Sequence, residues 1–262
     1  MLRKLALMFY PASERLCKAI YWTKYVISVL ILLNITVVSA QTAGLEPYDP
    51  PQCGNVSDVT LGETVEREID VDNLTRAYRL YVPTGYDADI LTPLVISLHG
   101  FASNPTQQEF FTGWSDLAEQ ENFIVVYPQG TGFPLRWDAG YDGVDDGVND
   151  VNFIDALIAN LFYEFCLDSS RVYVNGFSNG AGMTHQIACE LSDRIAAVGM
   201  MSGAYPLIDS TCEPEWAAPR TIPMIAFHGT ADPVVPYEGG EFMSAGLPSI
   251  ATWAEAWGAR NG

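Results

Sequence analysis

Two kinds of hydrophobic pattern divide the chain, and each predicts a different kind of strand. In residues 63–71 and 76–82 apolar and polar positions alternate one by one, which predicts the two strands of an antiparallel hairpin. Further along, short uninterrupted apolar runs predict strands that are buried on both faces. These runs occupy residues 94–98, 123–127, 172–175, 196–201 and 222–227.

Segments with apolar residues at helical spacing accompany these strands. They are residues 107–120, 153–162 and 181–190, and residues 253–262 form a further helical stretch. Strands that alternate with helices predict a mostly parallel sheet with helices on both faces and right-handed connections. The predicted fold class is therefore α/β, with an antiparallel hairpin on its N-terminal side. In such a sheet, ligands bind beyond the carboxyl ends of the strands.

The segment Gly176-Phe177-Ser178-Asn179-Gly180 joins a predicted strand to a predicted helix. A G-x-S-x-G string in that position is typical of a nucleophile elbow, in which the serine sits on a sharp turn above the sheet. The two glycines are needed because a Cβ atom would collide with the neighbouring strand or helix. Ser178 is thus the candidate nucleophile, and the Asn179 N–H is a candidate oxyanion donor. The alternative is an ordinary strand-to-helix turn.

Two other strand ends carry candidate partners of Ser178. His99-Gly100-Phe101 follows the first buried strand, where the second oxyanion donor belongs, so the Phe101 N–H is the candidate. Asp232 follows the last predicted strand and comes after the serine, as the acid of a Ser–acid–His triad does in this type of sheet. The alternatives are that His99-Gly100 only caps its strand and that Asp232 only forms a turn.

Three motifs together resemble those of the secreted feruloyl esterases, which are close to the extracellular polyhydroxybutyrate depolymerases within one group of serine esterases. They are LHGF at 98–101, RVYVNGFSNGAGM at 171–183 and HGTADPVVPYEGG at 228–240. The resemblance runs from Leu80 to the end of the sequence. It implies an α/β-hydrolase fold, Ser178 as nucleophile and Asp232 as acid. It is specific for the esterase group and does not define which ester is cleaved.

The sequence holds three histidines, and none is a good candidate for the catalytic base. His99 and His228 belong to the strand-end motifs, and His185 lies about 10 Å from Ser178 along the axis of the same predicted helix. The resembling enzymes place the base on a loop after one more strand. We therefore expect that the last strand and the histidine loop are missing, as in a C-terminally truncated fragment. The alternative is a complete but inactive pseudo-enzyme.

The first forty residues have the features of a secretory signal. Residues 1–24 hold five basic residues and one acidic residue, and an apolar run follows and ends in Val38-Ser39-Ala40. We expect a signal peptide at 1–40, a leader at 41–54 and a catalytic domain, incomplete at its C-terminus, over 55–262. A retained membrane anchor is the alternative, for which the apolar run is short.

The overall composition narrows the classes of partner. The chain is 48% hydrophobic, which excludes a disordered protein. Its formal net charge is −19, and loss of the basic N-terminus makes the remainder more acidic. Such a surface repels phosphate backbones and anionic lipids, so we expect neither nucleic acid binding nor stable membrane association. A neutral polymer is not repelled. The oligomeric state is left open.

Four cysteines remain after the predicted cleavage. In an oxidising compartment they are expected to form disulfides. Cys166 and Cys189 both fall at the end of the sheet opposite the candidate active site, so we expect them to pair. Cys53 and Cys212 would then pair with each other or with a cysteine beyond residue 262.

Weaker signals surround these motifs. Trp137 either stacks on an aromatic acyl group or a sugar, or only packs in the core. Residues 138–150 are rich in acid and glycine, which is compatible with a calcium site but more typical of a solvated loop. The sequence contains no glycine-rich phosphate loop, H-E-x-x-H or paired C-x-x-C motif, so no metal and no cofactor are expected.

These features and the resemblance predict a secreted serine carboxylic-ester hydrolase. The first hypothesis is a feruloyl esterase whose substrate is an ester-bearing plant-wall polysaccharide such as xylan. A polyhydroxybutyrate depolymerase, acting on a polyester, and an acetylxylan esterase are alternatives with the same chemistry. An inactive protein that binds carbohydrate in the same cleft is the alternative of a different class.

Overall fold

Strands and helices alternate along most of the chain, and the computed structural model describes residues 53–54, 58–140, 147–206, 212, 220–243 and 245–262. The strands within these residues are β1 (Thr64–Val71), β2 (Leu74–Tyr81), β3 (Thr92–Leu98), β4 (Ile124–Pro128), β5 (Leu167–Phe177), β6 (Ala197–Met201), β7 (Met224–Phe227), β8 (Gly240–Phe242) and β9 (Ala245–Leu247). The helices are α1 (Pro105–Thr112), α2 (Trp114–Glu121), α3 (Asp150–Glu164), α4 (Asn179–Glu190) and α5 (Ile250–Asn261).

One sheet organises the described part of the chain, with the strand order β1-β2-β4-β3-β5-β6-β7. Strands β3 to β7 run parallel to one another, and β2 pairs antiparallel with both β1 and β4. The predicted α/β-hydrolase fold, a mostly parallel sheet with an N-terminal antiparallel hairpin, is confirmed. The small β8–β9 hairpin was not predicted, because three-residue strands are too short to show a periodicity.

The buried strands supply side chains to a core on each face of the sheet. In β4, Ile124 and Val126 belong to the larger core, which also includes the buried residues of α3 and α4. The intervening Val125 and Tyr127 belong to a smaller core on the other face, where α2 contributes Trp114. Each such side chain stabilises the fold by about 1.5–3 kcal/mol relative to an exposed position. The uninterrupted apolar run of β4 is therefore explained by burial on both faces.

The helix predicted at 107–120 is two helices, which is a correction. Gly113 separates α1 from α2 with φ 63°, and its N–H donates to the carbonyl of Glu109. Glycine adopts this left-handed conformation without the cost of a Cβ atom, so it ends α1 there. Asn104 accepts a hydrogen bond from the Gln107 N–H and begins α1 two residues earlier than predicted.

The predicted pairing of the cysteines is wrong. Cys53 is joined to Cys166, and Cys189 is joined to Cys212. Cys166 precedes β5 and Cys189 lies at the end of α4, so both fall at the predicted end of the sheet. Each of them is bonded to a cysteine outside the alternating strands and helices instead. Cys212 lies against α5, where its carbonyl accepts a hydrogen bond from Arg260.

The loop before β3 explains why Cys53 reaches Cys166. The N–H of Gly54 donates to the carbonyl of Ala88 at 2.8 Å. In the same loop the hydroxyl of Tyr86 accepts a hydrogen bond from the Cys166 N–H at 2.9 Å. The segment that carries Cys53 is thus held against the start of β5, a long-range contact that the sequence pattern does not encode.

The predicted signal peptide (1–40) and nearly all of the predicted leader lie outside the described residues, as do residues 141–146 of the acidic stretch. In the part of the chain that the structure describes, no helix has both the length and the apolar character that a membrane span requires.

Candidate active site

Ser178 occupies a strained turn between β5 and α4. Its backbone has φ 54° and ψ −118°, outside the regions that non-glycine residues normally adopt. Such a conformation costs about 1–3 kcal/mol and persists only where surrounding contacts hold it. Here the Ser178 N–H donates to the carbonyl of Met201, and its carbonyl accepts from the N–H groups of Ala181 and Gly182. The neighbouring strand and the helix together fix the turn.

The two glycines of the motif make the turn sterically feasible. A Cβ atom on Gly176 would lie 2.1 Å from the carbonyl oxygen of Gly180. A Cβ atom on Gly180 would lie 2.4 Å from the carbonyl oxygen of Leu98 and 2.5 Å from that of His99. All of these contacts are with backbone, so side-chain movement does not relieve them. The predicted reason for both glycines is confirmed.

The candidate oxyanion donors lie on either side of the serine. Gly100 packs so closely that a Cβ atom on it would be 3.5 Å from the Ser178 Cβ and 3.1 Å from the Phe177 ring. The next residue, Phe101, has a half-exposed side chain, and its N–H donates no backbone hydrogen bond within the described residues. Asn179 is the first residue of α4, where the helix dipole favours negative charge. Both predicted donors therefore belong to backbone that adjoins the nucleophile.

His99 holds the loop that carries Phe101. The ring is fully buried, and its Nδ1 donates to the carbonyl of Gly100 at 2.8 Å. Its Nε2 accepts a hydrogen bond from the Gly130 N–H at 3.0 Å. Burial lowers the pKa of His99, so the neutral tautomer with the proton on Nδ1 is favoured. With both nitrogens occupied, His99 is not available as a base, as the sequence analysis predicts.

Trp137 connects Asn179 to His99, the residue two positions before Phe101. Its indole N–H donates to the carbonyl of His99 at 2.9 Å. Its backbone N–H donates to Oδ1 of Asn179 at 2.7 Å, and its carbonyl accepts from Nδ2 of the same residue at 3.0 Å. The ring is fully buried, so packing is the alternative that the structure supports, and no ring face is exposed for substrate. This brace was missed, since residues 38 and 42 positions apart in sequence form it.

Asp232 is held in the loop that follows β7. Its Oδ1 accepts hydrogen bonds from the N–H groups of Val234 and Val235 at 2.9 and 3.0 Å. Its own N–H donates to the carbonyl of Gly229. Oδ2 lies 3.7 Å from Nε2 of His228, beyond hydrogen-bond distance. The carboxylate is thus oriented through one oxygen, while the other accepts no hydrogen bond from the described residues.

His228 braces the same loop and was not predicted to do so. Its Nε2 donates to the carbonyl of Val235 at 2.9 Å, which closes the turn around Asp232. The side chain is 2% exposed, and Nδ1 has no hydrogen-bond partner in the described structure. This buried ring points into the loop rather than toward the solvent, so it is not placed to receive a proton from the serine.

The sheet sets the separation between Ser178 and Asp232. Strand register places Phe177 opposite Met201, and Met201 opposite Phe227, so β5 and β7 end at the same level with β6 between them. Adjacent strands are about 4.8 Å apart, so the two strand ends lie about 10 Å from each other. The two candidate residues therefore share one edge of the sheet, on strands that are separated by the width of β6.

His185 is a packing residue in the core. It is 2% exposed on α4, and its ring lies about 6 Å from the rings of Tyr205, Trp253 and Trp257. Burial lowers its pKa to about 4. Cys189 is adjacent and Cys212 is nearby, yet both sulfur atoms belong to one disulfide. Metal coordination requires thiolates, so this cluster does not fit a metal ion.

The last residue of the acidic stretch at 138–150 forms an ion pair within the protein. Asp150 is buried, and its carboxylate pairs with Arg76 at 2.6 Å and accepts from the Asp138 N–H at 2.8 Å. Both carboxylate oxygens of Asp150 therefore already have partners within the protein, one of them the Arg76 guanidinium. Residues 141–146 of the stretch in the calcium hypothesis lie outside the described part of the chain.

Comparison with known proteins gives a consistent class. The phospholipase/carboxylesterase family model matches residues 87–253. The putative esterase NocK of Nocardia uniformis subsp. tsuyamanensis is 30% identical over 243 residues, which cover 84% of this chain and 68% of that protein. A solved thermostable esterase superposes with a TM-score of 0.61 at 20% identity, covering 77% of this chain and 53% of the other, which shows the fold.

Two relatives carry names that specify an ester. The bifunctional acetylxylan esterase/xylanase XynS20E of Neocallimastix patriciarum is 31% identical over 163 residues, 62% of this chain. Feruloyl esterase B of Piromyces equi is 32% identical over 163 residues, 60% of this chain. The matched regions span 22% and 29% of those two proteins.

Proposed function

Because the chain belongs to the phospholipase/carboxylesterase family, we propose that it is a secreted esterase that uses Ser178 to cleave feruloyl esters of plant-wall xylan. The fold and the family define the class, a serine carboxylic ester hydrolase. The observation that carries the proposal is the geometry of the elbow. A strained serine stands at the carboxyl end of β5, between the helix N-terminus at Asn179 and the loop of Phe101.

The proposed reaction forms and then hydrolyses an acyl-enzyme. The Ser178 hydroxyl attacks the ester carbonyl while a base takes its proton, and the N–H groups of Phe101 and Asn179 stabilise the oxyanion. Collapse of the tetrahedral intermediate breaks the ester bond, and the base returns the proton to the sugar hydroxyl that leaves. Water then attacks the acyl group by the same route, which releases the acid and regenerates the serine.

The base is proposed to be a histidine other than His99, His185 and His228. His99 and His228 each donate to a backbone carbonyl in a loop, and His185 packs among aromatic rings. A ring above the carboxyl end of β6 would lie between Ser178 and Asp232. The free oxygen of Asp232 would orient that ring and stabilise its protonated form. No cofactor takes part in the proposed steps.

The choice of ester rests on the relatives and on the resemblance of the motifs. Curated relatives named feruloyl esterase and acetylxylan esterase match similar shares of the chain, 60% and 62%. A feruloyl group is the first choice, an acetyl group the second and a polyhydroxybutyrate the third. Secretion is supported by the N-terminal pattern of residues 1–40 and by the two disulfides, which persist in oxidising compartments.

The test combines covalent labelling with an ester panel. The protein is treated with a reactive phosphonate ester, with and without free imidazole as a soluble base, and the labelled peptide is identified by mass spectrometry. We expect labelling on Ser178, stimulated by imidazole and absent in Ser178→Ala. Among p-nitrophenyl ferulate, p-nitrophenyl acetate and a hydroxybutyrate oligomer, with imidazole present as the base, we expect p-nitrophenyl ferulate to be cleaved with the highest kcat/KM.

Each other outcome contradicts part of the proposal. A preference for p-nitrophenyl acetate or for the oligomer would replace the feruloyl assignment by one of its two alternatives. Labelling that persists in Ser178→Ala would refute the nucleophile. Xylan binding without any labelling or hydrolysis would favour the inactive carbohydrate-binding protein.

A further inference from the structure

A cleft of about 800 Å³, lined by both polar and apolar groups, lies between the β1–β2 hairpin and the first turn of α1. Gln129, which directly follows β4, also lines it, so the cleft lies toward the same edge of the sheet as Ser178. Residues that line it include Glu66, Arg79, Asn104, Gln107, Gln129 and Leu135. In the strand order this cleft is on the β4 side of the nucleophile, away from β6 and β7.

The cleft adjoins the loop that carries the candidate oxyanion donor. Asn104 is three residues beyond Phe101, so the backbone between them spans at most about 10 Å. On the far side, the carbonyl of Leu135 accepts a hydrogen bond from the Ala102 N–H at 2.8 Å. The loop of Phe101 therefore lies between the cleft and the nucleophile, and β4 and β3 separate the hairpin from β5.

Uncommitted amide groups face this cleft. The half-buried side chain of Gln129 makes no hydrogen bond within the described structure. Asn104 uses Oδ1 to cap α1, and Gln107 uses Oε1 to accept from Ser103, which leaves the NH₂ group of each as a donor. Side-chain amides can donate to and accept from hydroxyl groups. Three of them around one cleft suit a ligand rich in hydroxyls.

The charges of the cleft favour a neutral ligand. The Arg79 guanidinium is paired with Glu66 at 2.9 Å and with Glu109 at 2.8 Å. Its charge is therefore balanced inside the protein and is not available to bind an anion. The exposed carboxylate of Glu68 also lines the cleft and would repel a negative ligand.

The opposite side of the nucleophile is apolar. Phe177, Met201 and Phe227 are neighbours in strand register at the carboxyl ends of β5, β6 and β7. Their side chains are 46%, 39% and 37% exposed, so they form an apolar row that begins at the residue before Ser178. An aromatic or aliphatic group gains free energy by covering such a row, whereas a sugar does not.

We propose that the cleft between the β1–β2 hairpin and α1 is the subsite for the neutral sugar chain, and that the apolar row of Phe177, Met201 and Phe227 receives the acyl group. The ester would then lie across Ser178 in one defined direction. The inference rests on the proposed function, because it takes Ser178 as the point of cleavage. The sugar-binding part is separable from catalysis, since an unesterified sugar chain has no bond to cleave.

The test measures binding of an unesterified xylo-oligosaccharide to the intact protein by calorimetry. We expect Gln107→Ala combined with Gln129→Ala to weaken binding at least about fivefold, the loss of two hydrogen bonds. Gln120→Ala, an exposed glutamine outside the cleft, is the matched control and should leave Kd unchanged. Binding equal to that of the unmodified protein in the double variant would overturn the assignment, as would tighter binding of an anionic polygalacturonate.

A second measurement separates the two sides of the nucleophile. Phe227→Asn should weaken binding of methyl ferulate while leaving the xylo-oligosaccharide Kd unchanged, and the glutamine double variant should do the reverse. If both ligands respond to both variants, the proposed direction of the ester is wrong. If the unmodified protein is not labelled on Ser178 and hydrolyses no ester with imidazole present, the proposed function fails. The binding result for the sugar then still stands or falls alone.

Discussion

The nucleophile side of the site and the acid side are built in different ways. Ser178 and the two candidate oxyanion donors lie at the ends of β3 and β5, in the middle of the sheet, where buried hydrogen bonds through His99 and Trp137 join them. Asp232 follows β7, the last strand of the described sheet, and is held by bonds to residues within three positions of itself. One side is fixed by long-range contacts and the other by a local turn.

This difference matches what each side has to do. Donors to an oxyanion are effective only when they are oriented before charge develops, so they need a rigid support. Asp232 acts by orienting the ring of the base histidine, and a local turn is sufficient to hold its carboxylate in position. Variants on the two sides should therefore fail in different ways.

The largest effect is expected on the acid side, from Asp232→Asn. The amide keeps the shape of the side chain but removes the charge that stabilises the protonated base, so in a protein that carries the base histidine kcat should fall about 10³–10⁴-fold with little change in folding. Steady-state kinetics on the preferred ester and thermal unfolding of the same variant check this. Asp116→Asn, at an exposed position of α2, should leave kcat unchanged. Loss of rate in the control variant would show that the assay reports on folding.

On the nucleophile side, Gly180→Ala should fail by unfolding. Its Cβ would lie 2.4 Å from the backbone oxygen of Leu98, so either the strand or the helix must move. We expect the free energy of unfolding to fall by about 3 kcal/mol or more, as for other severe backbone strain. Gly258→Ala is the matched control, because nothing lies within 4 Å of its Cβ in α5, and it should stabilise by about 0.5–1 kcal/mol. Equal unfolding midpoints in urea for both variants would contradict the packing argument.

The two buried histidines on the nucleophile side, His185 and His99, should make the free energy of unfolding depend on pH. Burial lowers the folded pKa of His185 to about 4, below the value of about 6.5 in an unfolded chain. The unfolded state therefore binds the proton first, and stability should fall as the pH drops from 6.5 to 4, by up to about 3 kcal/mol. The pKa of His99 is lowered in the same direction. His185→Gln should flatten this dependence, and an unchanged slope in urea titrations across that window would contradict the assignment.

The smallest effect is expected from Trp137→Phe, which keeps an aromatic ring and removes the indole N–H. The carbonyl of His99 would lose its partner, and the loop of Phe101 would become less well oriented. We expect kcat to fall about tenfold with KM nearly unchanged, the result of losing roughly 1.4 kcal/mol of transition-state stabilisation. Trp114→Phe is the control, because its indole bonds to Asn175 on the opposite face and should affect stability more than kcat. A change confined to KM in Trp137→Phe would refute the brace.

The sequence by itself determined the features that are local in the chain. Hydrophobic periodicity gave the order of strands and helices, because burial on one or two faces leaves its mark at neighbouring positions. The G-x-S-x-G string between strand and helix gave Ser178, since the steric demands of the turn fall on adjacent residues. The positions of Asp232 and of Phe101 at strand ends followed from the same order of elements.

The tertiary structure alone decided which distant residues meet. The pairing of Cys53 with Cys166 depends on how a segment lies against the loop at Ala88, and no periodicity records that contact. The brace from Trp137 to His99 and Asn179 joins residues about forty positions apart, so it exists only once β3, β4 and β5 are side by side. Local preferences act over a few residues, whereas these contacts are fixed by the packing of the whole sheet.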